Sequence, residues 1–209
     1  MGYLLRIDQL SNRAVTSVKK SFKNLPETNH RDGKYRLRRY SKIKLLAEPQ
    51  KFQELEVAEF TQSSDYNTFQ GDVERKFENL EPDTLDSYGL REIVYLFRSL
   101  NQLSVGTEVD IHQMRVITLE EDTPVSPEGF HQDGYNCIAM FGIERHNISG
   151  GELLVANGKN DTPFVCLPIN DGTGAFLDDQ ALWHNATDIN RIDTEDQGYM
   201  DSFILTANK

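Results

Sequence analysis

The stretch GFHQDGYN, residues 129–136, decides how this chain is read. It sets His131 and Asp133 two positions apart between two glycines. Residues at i and i+2 of an extended segment point to the same side. The pair therefore offers an imidazole nitrogen and a carboxylate oxygen to one point. A bare His-X-Asp is more often a polar turn than a ligand pair. Two neighbours raise this one. It stands where strand-like sequence begins, and ALWHN supplies His184 on a later predicted strand. Two histidines and one carboxylate on one side of a metal leave its remaining positions open, which an Fe(II) centre needs to take a co-substrate and O2. The same three side chains would also suit catalytic zinc, but no general-base residue stands at a motif spacing to support hydrolysis.

Working outward, the pattern after residue 105 is strand-like. Candidate strands are QMRVITLEE, YNCIAMFGIE, GELLVAN, FVCLPI, TGAFLD, ALWHNAT and MDSFILTAN. Turn signals separate them: Pro124 and Pro127, Asn147 with Gly150-Gly151, Asn157-Gly158 and Asp171-Gly172-Thr173-Gly174. Short strands at this spacing point to a sandwich, barrel or jelly roll. Gly150-Gly151 reads as a tight strand turn rather than a phosphate loop, since no helix signal follows.

The N-terminal half reads differently. Leu10, Val15, Val18, Phe22 and Leu25 recur at helical spacing, and Pro26 stops that helix. YRLRRYSKIKLL (35–46) alternates as a strand, and QSSDYNTFQGD (62–72) reads as a loop. Within 85–103, Leu90, Ile93, Val94, Phe97 and Leu100 share one helical face. The helices need the sheet to bury that face, so the expectation is one α+β domain over 1–209. Its mainly helical support region covers 1–104 and its β core 105–209.

Composition narrows the function classes. The chain has 209 residues, 38% hydrophobic and 26% charged, with a net charge of −11. That acidity disfavours nucleic acid as a partner. No run approaches the ~18 apolar residues of a membrane span, and the opening MGYLLRIDQL has too short an apolar stretch for a signal peptide. The expectation is a soluble, cytoplasmic protein without a membrane partner. Cys137 and Cys166 both lie in apolar, strand-like sequence and read as two buried free thiols.

Three segments carry a resemblance: SPEGFHQDGYN, IERHNISGGELLV and FLDDQALWHNATDI, with YRLRRYSK upstream. They resemble the 2-oxoglutarate/Fe(II)-dependent dioxygenases of the bacterial type that hydroxylate free L-amino acids, the isoleucine-dioxygenase-like group. The resemblance covers about residues 35–205 and is most specific from Pro127 to Glu152. It implies a double-stranded β-helix (jelly roll, cupin-like) core with N-terminal helices packed on it. It implies that His131, Asp133 and His184 hold Fe(II), and that 2-oxoglutarate is oxidised to succinate and CO2 while a substrate C–H bond is hydroxylated. The substrate implied is a free aliphatic L-amino acid of isoleucine, leucine or methionine type. O2 is the second co-substrate, and ascorbate is the expected reductant in vitro.

The far carboxylate of 2-oxoglutarate needs a cation, best a bidentate arginine. Members of the group often enter the last strand with a Gly-Tyr-Arg-Asp-like segment; this chain has GYMDSF, with Met200 in the arginine's place. Arg191 and Arg145 are the candidate replacements. Arg191 also reads as a solvated loop residue, and Arg145 as a salt-bridge partner of Glu144. Of Arg36, Arg38 and Arg39, one that turns inward would meet a substrate α-carboxylate, and Arg39 is the one taken forward. Glu128 or Gln132 would meet an α-ammonium group. Alternation sends Tyr135 to the ligands' side and Trp183 away from His184, so Tyr135 is a site candidate and Trp183 a core one. Two other readings stay open: a metal- or ligand-binding jelly roll without turnover, and an oxygenase of another substrate class.

Overall fold

The structure is a computed structural model that describes residues 4–56, 76–120 and 122–209. The loop expected over 62–72 lies outside the described residues. In chain order the elements are β1 (Leu5–Gln9), α1 (Asn12–Lys19) running into a 3-10 turn (Lys20–Asn24), β2 (Arg36–Leu45), β3 (Phe52–Leu55), α2 (Pro82–Leu85) and α3 (Tyr88–Asn101). Then follow β4 (Glu108–Ile117), β5 (Cys137–His146), β6 (Ile148–Gly150), β7 (Glu152–Ala156), β8 (Val165–Pro168), β9 (Thr173–Asp178), β10 (Trp183–Ala186), β11 (Ile189–Arg191) and β12 (Tyr199–Ala207). Among the described residues, β1 and β3 join the strand expected over 35–46 in the N-terminal half.

The helices begin and end for local reasons. The Ser11 hydroxyl accepts the Ala14 N–H at the start of α1, and the Ser87 hydroxyl accepts that of Leu90 at the start of α3. Leu25, the residue before Pro26, is extended, as proline's ring requires of its predecessor. Helix α3 stops at Gln102, which takes a left-handed conformation at φ 56°.

A seven-stranded antiparallel sheet has the order β1-β9-β5-β12-β4-β2-β3. A smaller sheet, β10-β7-β8, and the pair β11-β6 complete a jelly roll. Strand alternation gives the large sheet two different faces. Ile43 and Leu45 of β2, Val109 and Ile111 of β4, Phe141 and Ile143 of β5, and Phe203 and Leu205 of β12 are fully buried against Val18, Phe22, Leu90, Ile93 and Phe97. Burying one such side chain stabilises by roughly 1.5–3 kcal/mol, so this layer is the main core. The even-numbered residues Ile138, Met140 and Ile204 face the other way, toward Leu153, Ile169 and Leu177. The site lies on this second face.

One expectation is corrected here. Cys137 is buried, but Cys166 is exposed. Along β8, Val165 and Leu167 turn toward the core and Cys166 turns out. Burial also pushes the Cys137 thiol up to about 12. A disulfide-exchange reagent at pH 8 is therefore expected to titrate one thiol in the native protein. The second should appear only after addition of denaturant.

Candidate metal centre

The site starts from a backbone bridge. His131 and His184 each donate an N–H to the other's carbonyl at 3.0 Å, forming an isolated antiparallel pair. Opposed residues of such a pair project to the same side, and the two rings lie 4.4 Å apart between centroids. Asp133 completes the group. His184 Nε2 is 3.3 Å from Asp133 Oδ2, and His131 Nε2 is 4.0 Å from Asp133 Oδ1. One donor atom from each residue falls within 4.8 Å of the others.

The loop that carries Asp133 is itself held. The Asp179 carboxylate, at the end of β9, accepts the backbone N–H groups of Asp133, Gly134 and Tyr135 at 2.9–3.1 Å. Gly134 turns the loop at φ 86°, a conformation that favours glycine. Burial and the charge of Asp133 raise the Asp179 carboxyl, while His184 and the backbone donors oppose that rise.

These residues fit a transition metal. His131 Nδ1 lies 2.7 Å from the Gly129 carbonyl oxygen and donates to it, which leaves the Nε2 lone pair facing Asp133. Burial and the neighbouring His184 lower the His131 pKa, favouring the neutral, ligating ring. Burial would also lower His184, but the hydrogen bond and charge of Asp133 outweigh it and raise that ring instead. A cation in place of the shared proton satisfies the same atoms.

A cavity of about 150 Å³ opens beside the three residues. Ile138, Met140, Leu153, Ile169 and Ile204 make its apolar wall. The polar wall is β2. Alternation aims Arg36 and Arg38 inward, where buried Asp32 accepts from Arg36 Nη1 at 2.7 Å and Arg38 Nη2 at 2.9 Å. Glu128 lies between this cluster and the histidines, with Oε2 3.9 Å from Arg36 Nη1 and Oε1 3.8 Å from His131 Nε2. Buried atoms of cavity-lining residues without a hydrogen-bond partner among the described residues include Arg36 Nε, Glu128 Oε2, Ser126 Oγ and His184 Nδ1. Leaving such a group unsatisfied costs about 1–3 kcal/mol.

The other residues singled out from the sequence are placed as follows. Arg39 lies on the opposite face of β2 from Arg36 and Arg38. It donates to Glu78 Oε2, the Asn79 carbonyl and Glu81 Oε1 and does not line the cavity, a correction that follows from the strand's two-residue period. The Gln132 amide points toward the Leu182 carbonyl at 3.4 Å. The Tyr135 hydroxyl donates to Asp110 Oδ2 at 2.8 Å. Neither side chain is part of the cavity lining, nor is that of Arg191, which sits on β11 against β6. Arg145 is cross-strand from Met200. Its guanidinium donates to the Gly150 carbonyl and lies 3.4 Å from the Gly151 oxygen and 3.5 Å from Met200 Sδ. Gly151 and Met200 line the cavity, so Arg145 stands directly behind that wall. Gly151, at φ 72°, leaves little room for a side chain: a Cβ would come within 2.8 Å of Ile189 Cγ2 and 3.2 Å of Arg145 Nη1.

Two histidines and an aspartate inside a jelly roll define a class, the non-haem iron oxygenases. The chain belongs to the 2OG-Fe dioxygenase family, whose model matches residues 19–206. It is therefore an enzyme that uses Fe(II), 2-oxoglutarate and O2. Solved structures agree on the fold. A bsmA homolog from Methylobium petroleophilum PM1 superposes with a TM-score of 0.79 at 26% identity, covering 94% of this chain and 81% of that one. IDO from Bacillus thuringiensis superposes with a TM-score of 0.73 at 18% identity, covering 97% and 89%. The Fe(II)/(alpha)ketoglutarate-dependent dioxygenase TqaL gives 0.63 at 12% identity, covering 95% and 75%. No curated protein matches the chain. Among the described residues no helix is long and apolar enough to cross a membrane.

Proposed function

We propose that this dioxygenase hydroxylates a free L-amino acid with an aliphatic side chain. The observation that carries the reading is the set of buried, unsatisfied atoms on the polar wall. Arg36 Nε asks for an acceptor and Glu128 Oε2 asks for a donor, in one small cavity. A zwitterion supplies both. Its α-carboxylate meets Arg36 and Arg38, and its α-ammonium meets Glu128. Asp32 fixes the two guanidinium groups beforehand, so little side-chain entropy is lost on binding. The side chain then extends over the apolar wall toward the metal centre.

In this reading His131, Asp133 and His184 hold the iron. Iron with 2-oxoglutarate and O2 supplies the oxidation: 2-oxoglutarate leaves as succinate and CO2, and one oxygen atom enters a substrate C–H bond. The protein's part is to orient that bond and keep water out. The far carboxylate of 2-oxoglutarate goes to the Met200 wall, where the Arg145 guanidinium can exchange its poor contact with a thioether sulfur for a charge-assisted hydrogen bond.

The test is a turnover assay with Fe(II), 2-oxoglutarate and ascorbate, each L-amino acid in turn, and mass spectrometry of succinate and of substrate plus one oxygen. A free aliphatic amino acid is expected to be hydroxylated, and its N-acetyl and methyl-ester forms to lose about 10²-fold or more in kcat/KM, because each leaves a buried charge unpaired. Analogues turned over as well as the parent would rule out zwitterion recognition.

A further inference from the structure

We infer that Asp179 is a positioning residue for the metal centre, acting on both the loop that carries Asp133 and the strand that carries His184. Its carboxylate is fully buried and does two things at once. Oδ2 gathers the N–H groups of Asp133, Gly134 and Tyr135, which fixes the loop that aims the Asp133 side chain. Oδ1 lies 3.6 Å from His184 Nδ1, a buried ring nitrogen with no hydrogen-bond partner among the described residues. His184 Nε2 is the nitrogen that faces Asp133. For Nε2 to give a lone pair to a metal, the ring proton must sit on Nδ1, and a carboxylate oxygen beside Nδ1 favours that arrangement. Asp179 thus links the loop ligand to the strand ligand through one side chain.

The two roles separate in Asp179→Asn. The amide is the same size and keeps an oxygen for the three backbone donors. Its NH2 then faces His184 Nδ1, a donor opposite the position that must itself donate. The inference rests on the triad as the metal site and is independent of the substrate. The full-length protein is loaded with Zn(II), affinity is measured by chelator competition, and the His184 ring N–H is followed by proton–nitrogen NMR. The expected result is a 10–100-fold weaker zinc affinity for Asp179→Asn. A metal-free melting temperature within a few degrees of wild type is expected alongside it. In wild type, His184 Nδ1–H is expected to be protected from solvent exchange, and in Asp179→Asn it should lose that protection. Zinc affinity within twofold of wild type with an unchanged Nδ1–H would overturn the inference. His131→Ala serves as the control. If it binds zinc as wild type does, the triad itself is wrong; if it loses zinc while Asp179→Asn keeps it, only the role of Asp179 fails. Should Asp179→Asn not fold, the wild-type spectrum still decides, since a freely exchanging His184 Nδ1–H excludes the contact.

Discussion

Asp133→Ala is expected to lose iron and turnover together while keeping the fold. Asp133 is the one anionic donor among the three candidate ligands, and the two imidazoles that remain are neutral when they ligate. Removing a partner that only supports a ligand costs 10–100-fold in affinity, so removing the charged ligand itself should cost about 10³-fold or more. The structural cost is small by comparison. The Asp133 side chain is 21% exposed and hydrogen-bonds His184. That charge-assisted contact is worth roughly 1.5–3 kcal/mol net. Anaerobic titration with Fe(II), succinate release and a thermal melt make the comparison. A variant that still binds one iron and releases succinate at the wild-type rate would exclude Asp133 as a ligand.

The second large effect concerns the co-substrate. In Arg145→Gln, the KM for 2-oxoglutarate is expected to rise about 10²-fold, the equivalent of losing one charged hydrogen-bonded contact of ~3 kcal/mol. The kcat at saturating co-substrate should change much less, because the contact is to the end of the molecule that does not react. Adding Met200→Arg in the same background puts a guanidinium into the cavity wall from the neighbouring strand, at the position cross-strand from residue 145. The double variant is expected to recover most of the lost affinity. Unchanged 2-oxoglutarate binding in Arg145→Gln, measured by calorimetry without O2, would assign the anchoring cation to Arg36 or Arg38 instead.

Much of this architecture was readable from the chain because strand alternation and helical periodicity are direct records of burial. The face shared by Leu90, Ile93, Val94 and Phe97 is the one that packs on the sheet. TGAFLD is β9 with the same bounds that its flanking turn residues predict. The His131–Asp133–His184 grouping was also legible, from the i, i+2 pair, one later strand and the family resemblance together, although Asp133 sits in a loop rather than a strand. Spacing alone was nevertheless a weak guide. His30 and Asp32 form a second His-X-Asp pair, and the structure uses its carboxylate to hold Arg36 and Arg38. The parity of β2 places Arg39 on the helix side. Leu37, Ile43 and Leu45 share its parity and mark the helix-facing side, which leaves Arg36 and Arg38 for the cavity. Strands β1, β3, β6 and β11 have three to five residues each, too few to show a period. Asp179 stands beside Asp178 in FLDDQ, and nothing local distinguishes the aspartate that organises a loop from the one that accepts the Gln180 N–H.

The reciprocal N–H···O=C bridge between His131 and His184 bears on how the enzyme lives with an exchangeable ion. In small zinc-dependent domains the ion assembles the chain, and its departure is an unfolding event. Here the peptide groups of both histidines are tied to each other by backbone hydrogen bonds in which no metal-ligating atom takes part. Fixing a residue's backbone costs roughly 1–2 kcal/mol, and for these residues that ordering is accomplished during folding rather than at each loading. Were the iron to be lost, the same backbone bridge would still hold the two histidines side by side. The register of the two histidine ligands is thereby set by the fold rather than by the metal.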